Sequence, residues 1–293
     1  MSIFKGSAVA MITPFNDDMS VNYDKLRELV NWQIENGTQA ILALGTTAES
    51  PCLTTEERDN IVELVIKEVN GRVPVIAGSG SNCTEIAKQT SIKYEKMGAD
   101  ALLVITPFYN KTTMAGLKAH FKTVADAVHT PIIMYNVPGR TGMSFDYPTM
   151  AEISQYDNIA AVKAASGDMG LVCKCARCIN DDFDIYSGND DITVPLMSVG
   201  GNGVISVLAN LCPKETADIC KPALEGDFAA AGKMQLKYLE LINDLFIETN
   251  PIPIKEAMNM AGLNAGPCRL PLVPMQDKNR EKLRGELKNL GII

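Results

Sequence analysis

Eight short apolar runs punctuate this sequence at intervals of roughly thirty residues, and that recurrence restricts the fold more than any other feature. They cover residues 8–13, 40–44, 75–78, 101–105, 132–135, 159–163, 183–187 and 204–207. Each is too short for a core helix and is bounded by Gly, Pro or polar residues, as strands buried on both faces of a parallel sheet are. Between the runs, apolar residues follow a helical period. Leu26, Leu29, Val30 and Ile34 share one face, as do Ile61, Val62, Val65, Ile66 and Val69. Thr54 and Glu57 form a capping box ahead of the second group, and Gly37, Gly71 and Gly98 stand where helices end.

Eight strands alternating with helices make the count of a (β/α)8 TIM barrel, an α/β fold. Length alone would allow two domains, since the chain has 293 residues; one barrel of this kind takes about 250. An open doubly wound sheet is the alternative, and it requires a glycine fingerprint behind an early strand. The nearest candidate, Gly78-Ser79-Gly80, has Cys83 where the third glycine belongs. The expected organisation is a barrel over residues 1–224 and a helical extension over 225–293. Within the extension, 228–247, 254–262 and 278–290 read as helices, interrupted by proline-rich 250–253 and 266–274.

Composition narrows the function classes. The chain is 46% hydrophobic with a net charge of −8, the balance of a globular protein with a sizeable core. A pI near 4.9 and the lack of a basic run argue against nucleic acid and anionic membranes as partners. No apolar stretch approaches the ~18 residues of a membrane span. The run 8–12 is too short, and too soon broken by Thr13-Pro14, for a signal peptide, so a cytoplasmic location is expected. The 8 cysteines, with no export signal, read as reduced thiols packed as small hydrophobes. Cys173, Cys175 and Cys178 lie close together but lack an obvious fourth ligand, so no metal is expected.

A barrel builds its active site at the C-terminal ends of its strands. Those ends read Thr13, Gly45-Thr46-Thr47, Gly78-Ser79, Thr106-Pro107, Tyr135-Asn136, Lys163, Ser187-Gly188 and Ser206. They hold hydroxyls, one tyrosine and one lysine, but no histidine, cysteine or carboxylate. Metal hydrolysis, thiol catalysis and paired-carboxylate chemistry therefore lack their usual groups. Lys163 follows Val162 and precedes Ala164-Ala165, so its ammonium enters apolar surroundings. Burial disfavours the charged form and lowers a lysine from its reference of roughly 10.4, which makes a nucleophilic amine. The plain alternative is a lysine that snorkels to solvent. Gly45-Thr46-Thr47 either converges N–H groups and hydroxyls on a carboxylate or is an ordinary turn. Tyr135 is either a core tyrosine or a proton shuttle beside the amine. Arg140, in the stiff Pro138-Gly139-Arg140-Thr141-Gly142 segment, suits an anionic substrate or a surface ion pair. Phe108 and Tyr109 read by default as a packing or subunit contact.

Together these segments resemble the 4-hydroxy-tetrahydrodipicolinate synthase (dihydrodipicolinate synthase) family of pyruvate-dependent Schiff-base aldolases. The likeness runs from Gly6 to Pro274. It rests on Gly45-Thr46-Thr47-Ala48-Glu49-Ser50, Thr106-Pro107-Phe108-Tyr109-Asn110 and Tyr135-Asn136-Val137-Pro138-Gly139-Arg140, together with Val162-Lys163, Gly203-Val204-Ile205-Ser206, Asn250-Pro251-Ile252-Pro253 and Arg269-Leu270-Pro271. The resemblance implies condensation of pyruvate with L-aspartate 4-semialdehyde in the diaminopimelate route to lysine, without metal or organic cofactor. It implies Lys163 as the Schiff-base nucleophile, with Thr46 and Thr47 holding the pyruvate carboxylate. Tyr135 then moves protons, linked through the Thr47 hydroxyl to Tyr109. Arg140 grips the carboxylate of the second substrate, and Gly188 and the Ile205 carbonyl line the lysine side of the pocket. In the family Tyr109 crosses a dimer interface, so a homodimer or homotetramer is the expected assembly.

The chain also departs from the family pattern. Ala48 stands where glycine is commoner, and Ala164 replaces a glutamate after the lysine. At the site where lysine-sensitive members bind their effector, Ser50 and Asn82 remain. Thr55 and Arg58 stand in place of histidines, Ile86 in place of glutamate and Phe108 in place of tyrosine, with Glu85 as a neighbouring substitute acid. An ammonium effector needs acceptors and is opposed by an arginine, so weak or absent inhibition by lysine is expected. Two rivals remain at this stage. An N-acetylneuraminate or keto-deoxy-sugar acid lyase would share Lys163 without needing Arg140. A non-catalytic small-molecule-binding regulator on the same barrel would need none of Lys163, Tyr135, Thr47 and Tyr109.

Overall fold

The computed structural model describes residues 2–293. Eight parallel strands close a barrel in sequential order: β1 Gly6–Ala10, β2 Ala40–Ala43, β3 Val75–Gly78, β4 Ala101–Ile105, β5 Ile132–Asn136, β6 Ile159–Ala164, β7 Asp184–Ser187 and β8 Gly203–Ser206. The strands are buried on both faces, which is why the runs are continuously apolar instead of alternating. Their two-residue period still sorts them. Ala8, Leu42, Leu103, Ile133, Ala161 and Tyr186 fill the barrel interior, while Val9, Ile41, Val104, Val162 and Ile185 pack outward. Phe4 stacks on Tyr186 at 4.2 Å between ring centroids and fills the N-terminal end of the barrel.

Around the barrel run α1 Tyr23–Glu35, α2 Thr55–Val69, α3 Thr84–Met97, α4 Met114–Ala125, the single turn α5 Pro138–Thr141, α6 Tyr147–Ile153, α7 Met169–Cys175, α8 Thr193–Met197 and α9 Pro213–Leu224. The capping box of α2 forms: the Thr54 hydroxyl accepts from Glu57 N at 3.1 Å, and the Glu57 carboxylate accepts from Thr54 N at 2.9 Å. Gly98 caps α3 in the left-handed region, while Gly37 and Gly71 follow the cap residues of α1 and α2. Beyond α9, α10 Phe228–Asp244, α11 Ile252–Met260 and α12 Asp277–Asn289 form the extension. They bury Leu241, Leu245, Ile254, Met258, Leu283 and Leu287 in the same apolar cluster as the outward-facing strand residues.

The first strand differs from expectation, covering Gly6–Ala10 instead of residues 8–13. The apolar run outlasts the strand because Met11, Ile12 and Thr13 are buried as irregular chain. Their polar groups are satisfied one by one: Met11 N donates to Leu42 O at 3.0 Å, Ile12 N to Asn210 Oδ1 at 3.0 Å, and the Thr13 hydroxyl to Ala48 O at 2.8 Å. At the other end, Gly6 pairs with Gly203, where a Cβ would sit 1.8 Å from Gly6 O. The backbones meet too closely there for a side chain, and the glycines that looked like run boundaries belong to the strands.

Candidate active site

The inward positions of the interior layer extend upward by two residues on each strand, so Tyr135 stands above Ile133 and Lys163 above Ala161. The β5–β6 register sets Tyr135 opposite Lys163. Lys163 is only 5% exposed, and its Nζ lies 4.6 Å from the Tyr135 ring centroid. Among the described residues that nitrogen has no hydrogen-bond or ion-pair partner. Gly188, just beyond β7, leaves the lysine its room: a Cβ there would lie 3.0 Å from Lys163 Cε and 2.7 Å from the Ala165 Cβ. Ile205 is buried on the inner face of β8.

The loop after β2 is held in an unusual shape. Leu44 and Glu49, at φ 58° and 55°, bracket a 3-10 turn over Thr46–Ala48, and left-handed backbone at non-glycine residues stores strain. The Ser50 hydroxyl donates to Gly45 O at 2.9 Å, closing the turn. Thr47 is buried, and its hydroxyl accepts from Asn250 Nδ2 at 3.0 Å. Arg140, on α5, donates to Asn250 O at 3.2 Å. Asn250 therefore ties the threonine loop to the arginine, and its own Oδ1 is buried without a partner. In the sequence Asn250 stood out as the start of a proline-rich interruption and as part of a motif shared with the family, with no role attached to it.

Two buried carboxylates stand in the loops beyond the strand ends, which themselves hold none. Glu49 receives Lys255 Nζ at 2.8 Å and Arg269 N at 2.8 Å. Lys255 is itself buried and also donates to Pro267 O at 2.6 Å. Burial pushes its pKa down while Glu49 opposes that shift. Arg269 grips Glu57 through two hydrogen bonds, at 2.8 and 2.6 Å, and holds that carboxyl down at about 2. The other carboxylate, Asp190, accepts from Val207 N at 2.9 Å and Leu208 N at 3.3 Å, just past the end of β8. Burial pushes its pKa up, opposed by a bond from Ser206, by those amides and by the charge of Lys163. Both acids lie a few residues past a strand end, beyond the positions the apolar runs mark.

A cavity of about 340 Å³ opens beside this assembly. Thr46, Tyr135 and Arg140 line it together with Ser50, Arg58, Ile86 and Phe108. Tyr135 also carries the Lys163 amine over its ring, and Lys163 itself is not among the residues that line the cavity. Thr47 is turned toward Asn250, and among the described residues no hydrogen bond joins it to Tyr135 or Tyr109. Tyr109 is 91% exposed at φ 67°, away from the site of its own chain. Of the proposed effector positions, Ser50 and Phe108 reach the cavity, whereas Asn82 and Glu85 do not. Glu85 is paired with Lys88 at 2.7 Å, which holds its pKa down with help from Gln89. All eight cysteines are free thiols. Cys173 is exposed while Cys175 and Cys178 are buried, and burial pushes the Cys175 thiol up to about 12.

The profile of the dihydrodipicolinate synthetase family matches residues 3–290. A 4-hydroxy-tetrahydrodipicolinate synthase of Clostridium acetobutylicum is 51% identical over 293 residues, all of both chains. The crystal structure of dihydrodipicolinate synthase from Aquifex aeolicus superposes with a TM-score of 0.96 at 43% identity, covering 99% of each chain. A structure described as the first monomeric dihydrodipicolinate synthase variant superposes with a TM-score of 0.97 at 38% identity, over 99% of this chain and 98% of that one.

Proposed function

The chain belongs to the dihydrodipicolinate synthetase family, and we propose that Lys163 is the residue through which it works. Its activity is that of a 4-hydroxy-tetrahydrodipicolinate synthase, a lyase. The substrates are accordingly pyruvate and L-aspartate 4-semialdehyde. The observation that carries the assignment to Lys163 is its unpaired amine, buried near the C-terminal end of β6 and lying over Tyr135.

The Lys163 amine adds to the keto carbon of pyruvate and water leaves, forming a Schiff base. Protonated, the imine draws electrons from the methyl group, which loses a proton to give the enamine. The enamine carbon bonds to the aldehyde carbon of the second substrate, whose oxygen takes up a proton as a hydroxyl. The amino group of that substrate then attacks the imine carbon, expels Lys163 and closes a six-membered ring. N–H groups and hydroxyls of Thr46 and Thr47 hold the pyruvate carboxylate. Tyr135 carries the protons. Thr46 shares the cavity with Tyr135, which favours its hydroxyl over that of Thr47 as the next member of the relay. Arg140 receives the carboxylate of the semialdehyde. Gly188 and the Ile205 carbonyl wall the lysine side.

The exposure of Tyr109 favours a second copy of the chain supplying that residue, in a homodimer or homotetramer. The chemistry resides in residues 1–224, and the 225–293 extension supports it through Asn250. No helix among the described residues is long and apolar enough to cross a membrane, and we place the enzyme in the cytoplasm. Among the described residues two arginines and no carboxylate line the cavity, which supports weak or absent inhibition by lysine.

Borohydride reduction in the presence of pyruvate, read by intact mass and peptide mapping, is expected to modify Lys163. Lys163→Ala removes the adduct. Arg140→Ala retains it and loses condensation with the semialdehyde. A wild-type protein that forms no adduct, or an adduct on another lysine, defeats the assignment.

A further inference from the structure

The walls beside Lys163 are joined by a residue that no step of the reaction uses. Strands β7 and β8 share the shortest ladder of the barrel, with Tyr186 opposite Gly203 and Ser187 opposite Val204. That ladder stops short of Gly188 and Ile205, which lie beyond its last pair. Each wall is otherwise held from its far side: Gly188 N donates to Ala164 O at 2.7 Å, and β8 stays paired with β1 as far as Ser206. Asp190 bridges the gap. It stands two residues past Gly188, in the turn Asp190–Ile192, and is buried. Its Oδ2 accepts from Val207 N and Leu208 N, and the Ser206 hydroxyl donates to the same carboxylate. The turn is anchored in its own right by Gln235 on α10, which donates to Asp191 O at 2.6 Å and accepts from Val194 N at 2.7 Å. A carboxylate is costly to bury unless its acceptor capacity is used, and three donors from one short segment make Asp190 a fixed joint.

We infer that Asp190 is a positioning residue for Schiff-base formation, clasping the end of β8 to the turn after β7 so that Gly188 and Ile205 hold the Lys163 amine in line with the keto carbon. The inference rests on Lys163 as the nucleophile. Asp190 acts on that amine through the two walls, which it keeps from parting. Without it the buried amides of Val207 and Leu208 lose their acceptor, and the end of β8 must shift to find another. The Thr46-Thr47 loop follows β2, which β1 separates from β8, so the hold on the pyruvate carboxylate is untouched. Imine formation therefore slows while pyruvate affinity stays.

Rapid borohydride trapping of the whole protein across a range of pyruvate concentrations tests this, because it gives both the maximal rate of imine formation and the half-saturating concentration. Asp190→Ala should lower the maximal rate about tenfold or more and leave the half-saturating concentration within about twofold, given the steep cost of displacing a reacting group. Asp190→Asn keeps an acceptor oxygen for the two amides and should restore most of the rate. Leu287→Ala, on α12, loses stability by truncation of a core side chain alone and should trap at the wild-type rate. Circular dichroism and denaturation check the fold of each variant. Should Asp190→Ala not fold, Asp190→Ser takes its place, with an oxygen one bond too near the backbone to reach both amides. A wild-type maximal rate in that variant overturns the inference, as does a raised half-saturating concentration at unchanged rate. So does a loss in Asp190→Asn equal to that in Asp190→Ala, which would make the charge decisive, or equal slowing in Leu287→Ala, which would leave Asp190 a part in stability alone. Wild-type protein that forms no adduct on Lys163 defeats instead the nucleophile assignment beneath it.

Discussion

Gly188 is where a single carbon decides whether the site exists. An added methyl must displace either the Ala165 Cβ at 2.7 Å or the Lys163 side chain at 3.0 Å, and the lysine is the one free to move. Gly188→Ala is therefore expected to fold normally and to form the pyruvate adduct about a hundredfold more slowly, since displacing a reacting group by about 1 Å costs that much. Stopped-flow trapping with borohydride measures it, and an unchanged rate would show that the lysine has slack. Asn250 acts through its neighbours. Asn250→Leu leaves Thr47 without its donor, so a raised KM for pyruvate is expected, and steady-state kinetics across pyruvate concentrations will reveal it. Lys163, Tyr135 and Arg140 were legible in the sequence because each closes or follows an apolar run, where a polar group has few reasons to be. The roles of Asn250 and Glu49, which the sequence showed only as members of family motifs, and of Asp190 were not, because these residues lie in irregular chain without a period and gain their meaning only from contacts hundreds of residues apart or across strands.

The elements were legible to the extent that they bury a face. Strands β3 and β4 match the apolar runs end to end, and α10 to α12 lie within a few residues of the helical stretches. β1 was misplaced because buried irregular chain is as apolar as a strand and differs only in where its N–H groups go. The loop after β2 depends on a buried ion pair instead of on periodicity. Lys255→Met would leave the Glu49 carboxylate buried opposite no ammonium, a loss of about 3–5 kcal/mol on the scale of broken buried pairs. Chemical denaturation should register it. The double variant Glu49→Gln, Lys255→Met should recover part of the loss, and failure to recover would mean that the lysine matters through its packing on Phe15 and not its charge.

Across the whole molecule, acidity bears on stability through a residue far from the chemistry. The chain has 2 histidines, and His120 on α4 is buried, with its Nδ1 2.9 Å from the Thr84 hydroxyl. Burial holds its pKa down at about 4, whereas an unfolded histidine titrates near ~6.5. Between those values the unfolded chain takes up a proton that the folded chain refuses. The stabilisation is complete above pH ~6.5 and drains away as pH falls toward 4, by about 2 kcal/mol at pH 5. Denaturant titrations at pH 7 and 5 should show that difference in the wild type and a smaller one in His120→Gln; equal slopes would remove the histidine from the account. The extension belongs to the same whole. A chain stopped after residue 224 would bare the faces that Leu241 and Leu245 cover and leave Thr47 without Asn250, so no cooperative unfolding transition is expected from it.

The fastening of the Thr46–Ala48 turn also sets an order in time. The residues of the turn leave the ribosome first, and Asn250, Lys255 and Arg269, which pin it, follow about two hundred residues later. A growing chain carries Lys163, the proposed nucleophile, long before it carries the residues that pin this turn. Synthesis thus leaves the turn unfastened until those residues have emerged.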